Sequence, residues 1–195
     1  MRLHPTNITV GLFIISLFII SCTQYERFSV QQSIKRNIGK TIDLSLNEYQ
    51  LLPDTVVSFT GLQADNAIIV TQVQPDLCTD CLSKYIHMAE KYVSTFHSDS
   101  VLFVVILGAD IQREVQSMIP DVDSNKVIIL FTKNNDFLKR STFVENRKVS
   151  NSFLLNKYYK IVLVGDPLTN QKLQYCYNNQ IQELLGNESF LQEKK

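Results

Sequence analysis

The chain has 195 residues, 45% of them hydrophobic, which suits one globular domain with its own core. Nineteen Lys and Arg (19) balance nineteen Asp and Glu (19), giving a formal net charge of +0. No run of like charge is present, so nothing pulls the chain towards nucleic acid or an anionic surface. With 6 Gly and 5 Pro there is little material for low-complexity linkers.

The first residues differ from the rest. Arg2 is the only charged side chain before Cys22, and Val10 to Ile20 is almost wholly apolar. That run is short for a bilayer span, which takes ~20 residues, and has the length of a signal-peptide core, ~7–15 residues. It closes on Ile19-Ile20-Ser21-Cys22, which resembles a bacterial lipobox: aliphatic at −3, small at −1, then cysteine. The resemblance implies that Cys22 is lipidated and becomes the mature N-terminus. An uncleaved anchor helix with an incidental Cys is the alternative. The expected organisation is a signal peptide over residues 1–21, an anchor and lead-in segment over 22–45, and a folded domain over 46–195. Lipidated Cys22 would hold that domain on the membrane, facing the periplasm, in a compartment where disulfides persist.

After the anchor, Phe28, Ile34 and Ile38 share one side of a short predicted helix that ends at Gly39. Gly39 to Leu44 reads as a turn into an extended segment, and Thr55 to Phe59 as a strand. Ala67 to Val73 is a continuous apolar run, the mark of a strand covered on both faces. Leu82, Tyr85, Ile86, Ala89, Tyr92, Val93 and Phe96 then follow helical spacing, with Asp76 as the expected N-cap. Val101 to Leu107 and Val127 to Phe131 are two more buried strands, separated by a helix opening at Asp110 and carrying Val115 and Met118. Phe153 to Leu155 and Ile161 to Val164 flank a short polar connection and predict a hairpin. A last helix carries Leu173, Cys176, Tyr177, Ile181, Leu184 and Leu185 on one face, with Cys176 expected in the core. The order predicts parallel neighbours for the first core strands, an antiparallel pair at the end, and helices on both faces of a mixed sheet.

Cys78-Thr79-Asp80-Cys81 opens the first long helix. Two thiols at that spacing can close a disulfide, and a helix N-terminus favours a thiolate on the first. A static structural disulfide and a metal site are the competing uses. Zinc takes four ligands, and there is no second CxxC; His87 lies about 240° round the helix from Cys81. Two-coordinate Cu(I) on Cys78 and Cys81 stays open. Tyr85 and Tyr92 are read as packing residues. No Gly-rich phosphate loop is present.

The element order with CxxC at the helix start resembles the α/β thioredoxin-like fold over roughly residues 40 to 195. It is most similar to membrane-anchored lipoproteins of the TlpA or redoxin type. Gly39-Lys40-Thr41-Ile42, Ser152-Phe153-Leu154-Leu155-Asn156, Lys160-Ile161-Val162-Leu163-Val164-Gly165 and Asp166-Pro167-Leu168 carry the resemblance. It implies a thiol–disulfide oxidoreductase with no tightly bound cofactor, in which Cys78 attacks and Cys81 resolves. Its partners would be protein disulfides and a membrane or periplasmic reductant. The chain departs from the family at three places: no Trp precedes the motif, Ser150 stands where the family has a cis-proline, and Gln72 stands at the family's buried acid. Thr79, Asp80 and Ser150 would line the groove beside the dithiol. Asp80 adds negative charge there, which disfavours the thiolate and leans the expectation towards a reductant. The alternative function is a redox-inactive module that binds a protein or peptide near Ser150.

Overall fold

The computed structural model describes residues 30–42, 44, 49–51, 67–73, 78–96, 100–112, 115, 122–123, 125–132 and 151–186. Residues 30–37 form a helix, α1. The strands are β1 (Tyr49–Leu51), β2 (Ala67–Gln72), β3 (Val101–Gly108), β4 (Val127–Thr132), β5 (Ser152–Leu155) and β6 (Ile161–Val164). Helix α2 (Thr79–Val93) links β2 to β3, and α3 (Gln171–Leu184) follows β6.

The six strands form one sheet in the order β1-β4-β3-β2-β5-β6. Strand β3 pairs in parallel with β2 and β4, as their long crossovers require, while β5 runs antiparallel to both β2 and β6. The expected mixed sheet is therefore observed. Strand β1, antiparallel to β4, was not anticipated. It is only three residues long, too short for alternation to announce it, and its place is set by the open edge of β4. The predicted strand at Thr55 to Phe59 lies outside the described residues.

Alternation along the strands sorts the core into two clusters, one on each face. Ile69, Phe103, Val105, Ile129 and Leu154 point to the side where α2 and α3 lie, and meet Leu82, Ile86, Tyr177 and Ile181. Ile68, Val70, Val104, Ile106, Leu130 and Leu155 point to the other side, joined by Ile42, Leu44 and, from α1, Ile34. Helices thus serve both faces. Each fully buried Ile or Leu contributes roughly 1.5–3 kcal/mol of apolar transfer, so the two clusters dominate the stability of the fold.

The lead-in segment is extended, as its sequence suggests, and it has a partner. Gly39 (φ 82) turns the chain out of α1. Its N–H then donates to Ile161 O, Ile161 N–H donates to Lys40 O, and Ile42 N–H donates to Tyr159 O. Thr41 forms a β-bridge to Lys160 on the outer edge of β6. Helix α1 corrects one expectation: Ile38 is 47% exposed, while Ser33 and Asn37 are buried at 2% each. These two are one helical turn apart, so they mark the inward face, and Ile38 lies at the turn where the chain leaves it.

The hairpin turn is held by Asn156, whose Oδ1 accepts from the N–H groups of Tyr158 and Lys160. In α3 the buried line is Tyr177 and Ile181, four residues apart. Cys176 is exposed rather than in the core, because it lies about 100° round the helix from Tyr177. Asn170 caps α3, its side chain accepting from the N–H groups of Lys172 and Leu173.

Candidate functional site

Cys78 is the N-cap of α2, in extended backbone conformation, with its Sγ accepting from Cys81 N–H at 3.2 Å. The expected cap, Asp76, lies outside the described residues, and the sulfur takes the role usually given to a side-chain oxygen. Leu82 N–H donates to Cys78 O at 2.9 Å and starts the helix. Cys78 and Cys81 are joined in a disulfide with a Cα–Cα distance of 5.1 Å. Both cysteines, Thr79 and Asp80 are exposed. The pair is therefore open to a partner from solvent, and the helix N-terminus that favours a thiolate is unobstructed by these residues' own side chains.

Ser150 and Cys22 lie outside the described residues. Gln72 ends β2 with its N–H donating to Asn151 O at 3.0 Å. His87 is exposed and pairs with Glu90, Nδ1 to Oε2 3.6 Å. Among the described residues no group of three or more His, Cys, Asp and Glu side chains could hold a metal ion.

A polar cluster that sequence reasoning missed lies where the dithiol helix meets the sheet. The Tyr85 hydroxyl is 3.2 Å from Thr71 Oγ1 on β2 and 3.1 Å from Asp166 Oδ2, just beyond β6. Thr71 Oγ1 is in turn hydrogen-bonded to Ser152 Oγ on β5. Tyr85 also packs edge-on against Phe103, centroids 6.2 Å apart, so it is both core residue and hydrogen-bonding hub. Asp166 Oδ1 accepts from Leu168 N–H at 2.8 Å, and Tyr177 donates to Gly165 O at 2.6 Å beside it. Burial pushes the Asp166 carboxyl above its ordinary value, against the opposing Leu168 N–H and Tyr85 hydroxyl. Burial, then the charge of Asp166, pushes Tyr85 and Tyr177 up as well. No local pattern marks this cluster: Tyr85 is four residues after Cys81, and Asp166 is the second residue beyond β6.

Comparison with known proteins gives likenesses of structure. The thioredoxin domain of a thiol-disulfide oxidoreductase from Bacteroides vulgatus is 13% identical, with a TM-score of 0.45, over 60% of this chain and 81% of that one. A thioredoxin-like protein from Porphyromonas gingivalis is 15% identical, with a TM-score of 0.44, over 65% and 80%. A thiol:disulfide interchange protein from Bacteroides sp. is 13% identical, with a TM-score of 0.42, over 67% and 80%. No family model matches the chain, and no curated protein matches it by sequence. The strand order, the two parallel pairings, the closing antiparallel hairpin and a CxxC disulfide at the start of the first core helix give this chain a thioredoxin-like fold.

Proposed function

We propose that the chain is a thiol–disulfide oxidoreductase of reductase-like poise, held on the membrane through lipidated Cys22 and facing the periplasm. One observation carries this reading: an exposed disulfide whose outer sulfur caps a helix N-terminus. In the reduced form, the Cys78 thiolate attacks a substrate disulfide. A mixed disulfide forms, and one substrate thiolate leaves. The Cys81 thiolate then attacks Cys78 Sγ, expels the second substrate thiolate and restores the Cys78–Cys81 disulfide. The pair has given two electrons to the substrate, and a membrane or periplasmic dithiol returns them. The Cys81 N–H that meets Cys78 Sγ would stabilise the attacking thiolate, and the exposed Asp80 carboxylate would oppose it. That balance supports a reductant over a strong oxidant.

The test is insulin reduction, with mass-tag trapping of Cys78 and Cys81 in glutathione buffers. Cys78→Ser should abolish turnover, and Cys81→Ser should accumulate the mixed disulfide. A pair that never opens across the glutathione range, or a Cys78→Ser protein with wild-type turnover, would leave a structural disulfide in a binding module. For the anchor, Cys22→Ala should move the chain out of the membrane fraction and end lipid labelling. Lipid labelling that persists in that variant would remove the lipobox reading.

A further inference from the structure

No run of like charge stands in the sequence, but the fold gathers cations at the end of the sheet away from the dithiol. The register fixes which end that is. Thr71 pairs with Ser152 towards the dithiol, where α2 opens beyond β2. At the other end Ile68 pairs with Leu155, and the chain turns through Asn156–Lys160 into β6. The six residues of β2 put about 20 Å between the two ends.

The turn is built against its backbone preference. Tyr159 N–H donates to Asn156 O at 2.8 Å, and Asn156 N–H donates to Lys160 O at 3.0 Å. Tyr159 has φ 57, the left-handed region that such a loop normally gives to glycine. Its ring packs against the aliphatic cluster and its C=O accepts from Ile42 N–H, which holds the strained residue in place. Tyr158 instead is 64% exposed, with Lys157 Nζ 5.3 Å from its ring centroid. The lead-in adds charge beside it. Thr41 bridges Lys160, and the neighbouring Lys40 donates through Nζ to Asn37 Oδ1 at 3.4 Å. Lys35 and Arg36 are exposed in the last turn of α1, and Ile38 is 47% exposed just after it. Residues 30–42 and 156–160 contain no Asp or Glu; Asp43 lies outside the described residues. Of the described acids towards this end, Glu90 and Glu183 are on α2 and α3, on the opposite face from α1, and Asp123 N–H donates to Glu90 beside β4.

Cations beside an exposed tyrosine and isoleucine suit a phospholipid surface: the ring sits at headgroup depth, and Lys and Arg meet anionic headgroups. We propose that the Asn156–Lys160 turn, with the lead-in and the end of α1, is a docking surface for anionic phospholipid, which holds the anchored domain with its dithiol turned away from the bilayer. The stretch from Cys22 to Val30 reaches at most about 29 Å, so a lipidated Cys22 keeps this end of the domain near the membrane. A tether alone sets no orientation; the cationic end supplies it. This orientation rests on the proposed anchor, and one experiment separates the two.

The chain contains 0 Trp, so Tyr158→Trp gives a fluorophore that reports alone. The full chain carrying it is diluted from detergent into vesicles of phosphatidylcholine, or of phosphatidylcholine with a third replaced by phosphatidylglycerol. Both contain a lipid spin-labelled near the headgroup, and quenching of the indole reads contact. Quenching should be stronger in the phosphatidylglycerol vesicles and should fade in high salt. Tyr175→Trp, at an equally exposed position (64%) near the start of α3, at the dithiol end, should stay unquenched. A cation near an anionic surface strengthens contact about fivefold, so adding Lys157→Gln and Lys160→Gln should lower the contact constant roughly 25-fold and bring quenching down to the Tyr175→Trp level. Vesicle flotation reads the anchor separately. A chain that floats with both vesicle types while Tyr158→Trp emission stays unquenched overturns the docking surface and leaves the anchor. Equal quenching at positions 158 and 175, or equal quenching with and without phosphatidylglycerol, also overturns the surface. Flotation with phosphatidylglycerol vesicles alone, with Tyr158→Trp quenched, upholds the surface and overturns the anchor. A chain that floats with neither overturns both.

Discussion

On the face of the sheet beneath α2 and α3, Tyr85, Tyr92 and Tyr177 are packed among hydrocarbon with their hydroxyls bonded to Asp166, Asn178 and Gly165 O. On the opposite face, the buried cluster from Ile42 to Val164 is aliphatic apart from Phe153. Both faces exclude water, but the buried phenols gather on one, while the buried polar side chains of the other, Ser33, Asn37 and Thr132, come from its rim in α1 and the end of β4. The difference follows the dithiol. The face that carries the CxxC helix is built from positions where direction matters, because a hydrogen bond is lost with a small rotation and a methyl contact is not. The aliphatic cluster of the other face is closer to ballast: those residues need volume and shape, and little orientation.

Four experiments break or sharpen that contrast. The largest effect should come from alkali. Burial raises Tyr85, Tyr92 and Tyr177 above their ordinary value of 10.0 in the folded chain. A raised folded value means that their stabilisation is complete below the unfolded value and is lost as pH climbs past it. Urea unfolding at stepwise pH should show stability falling from about pH 10 upwards, with absorbance of ionised tyrosine appearing together with unfolding. A chain equally stable on both sides of pH 10 would deny the buried phenols. Next, Leu155→Ala on the aliphatic face should cost about 2–5 kcal/mol by chemical denaturation, while the dithiothreitol equilibrium of the surviving folded protein stays at the wild-type value. A shifted thiol equilibrium would mean that the two faces are not independent.

Gly165→Ala should cost about 1–3 kcal/mol, because Gly165 has φ +124 and an added Cβ would lie 2.7 Å from Leu173 Cδ1. This is where α3 closes on the end of β6, and thermal unfolding reads the loss. A wild-type midpoint would show that α3 can retreat freely. The smallest effect is Tyr92→Phe, which leaves Asn178 Oδ1 without its 2.6 Å donor and should cost about 1 kcal/mol. No loss in urea titration would place that bond in water.

The apolar runs at Ala67, Val101 and Val127 and the helical spacing after Cys81 were legible because burial on both faces and a 3.6-residue period leave strong marks in a sequence. Cys78 and Cys81 were legible because their spacing is itself chemistry. The cluster behind them was not, because Thr71, Tyr85, Ser152 and Asp166 come from four elements and meet only when β2, β5 and the end of β6 are brought side by side. The same reason hid the exposure of Cys176: apolar neighbours suggested a stripe, but one residue of rotation separates it from Tyr177. Strand β1 owes its existence to an edge, which no local pattern records.

The pairing of residues 39–42 along β6 has a consequence for solubility. A bare outer strand is a template on which another molecule can add a strand of its own. Here the chain's own lead-in segment already occupies part of that rim, through the bonds of Gly39, Lys40 and Ile42 to Tyr159 and Ile161. A protease that cut just after residue 42 would release this cover and leave the β6 rim bare, and the trimmed protein should self-associate more than the full chain. The stretch that leads away from the proposed anchor at Cys22 would then also guard the sheet against recruiting its neighbours.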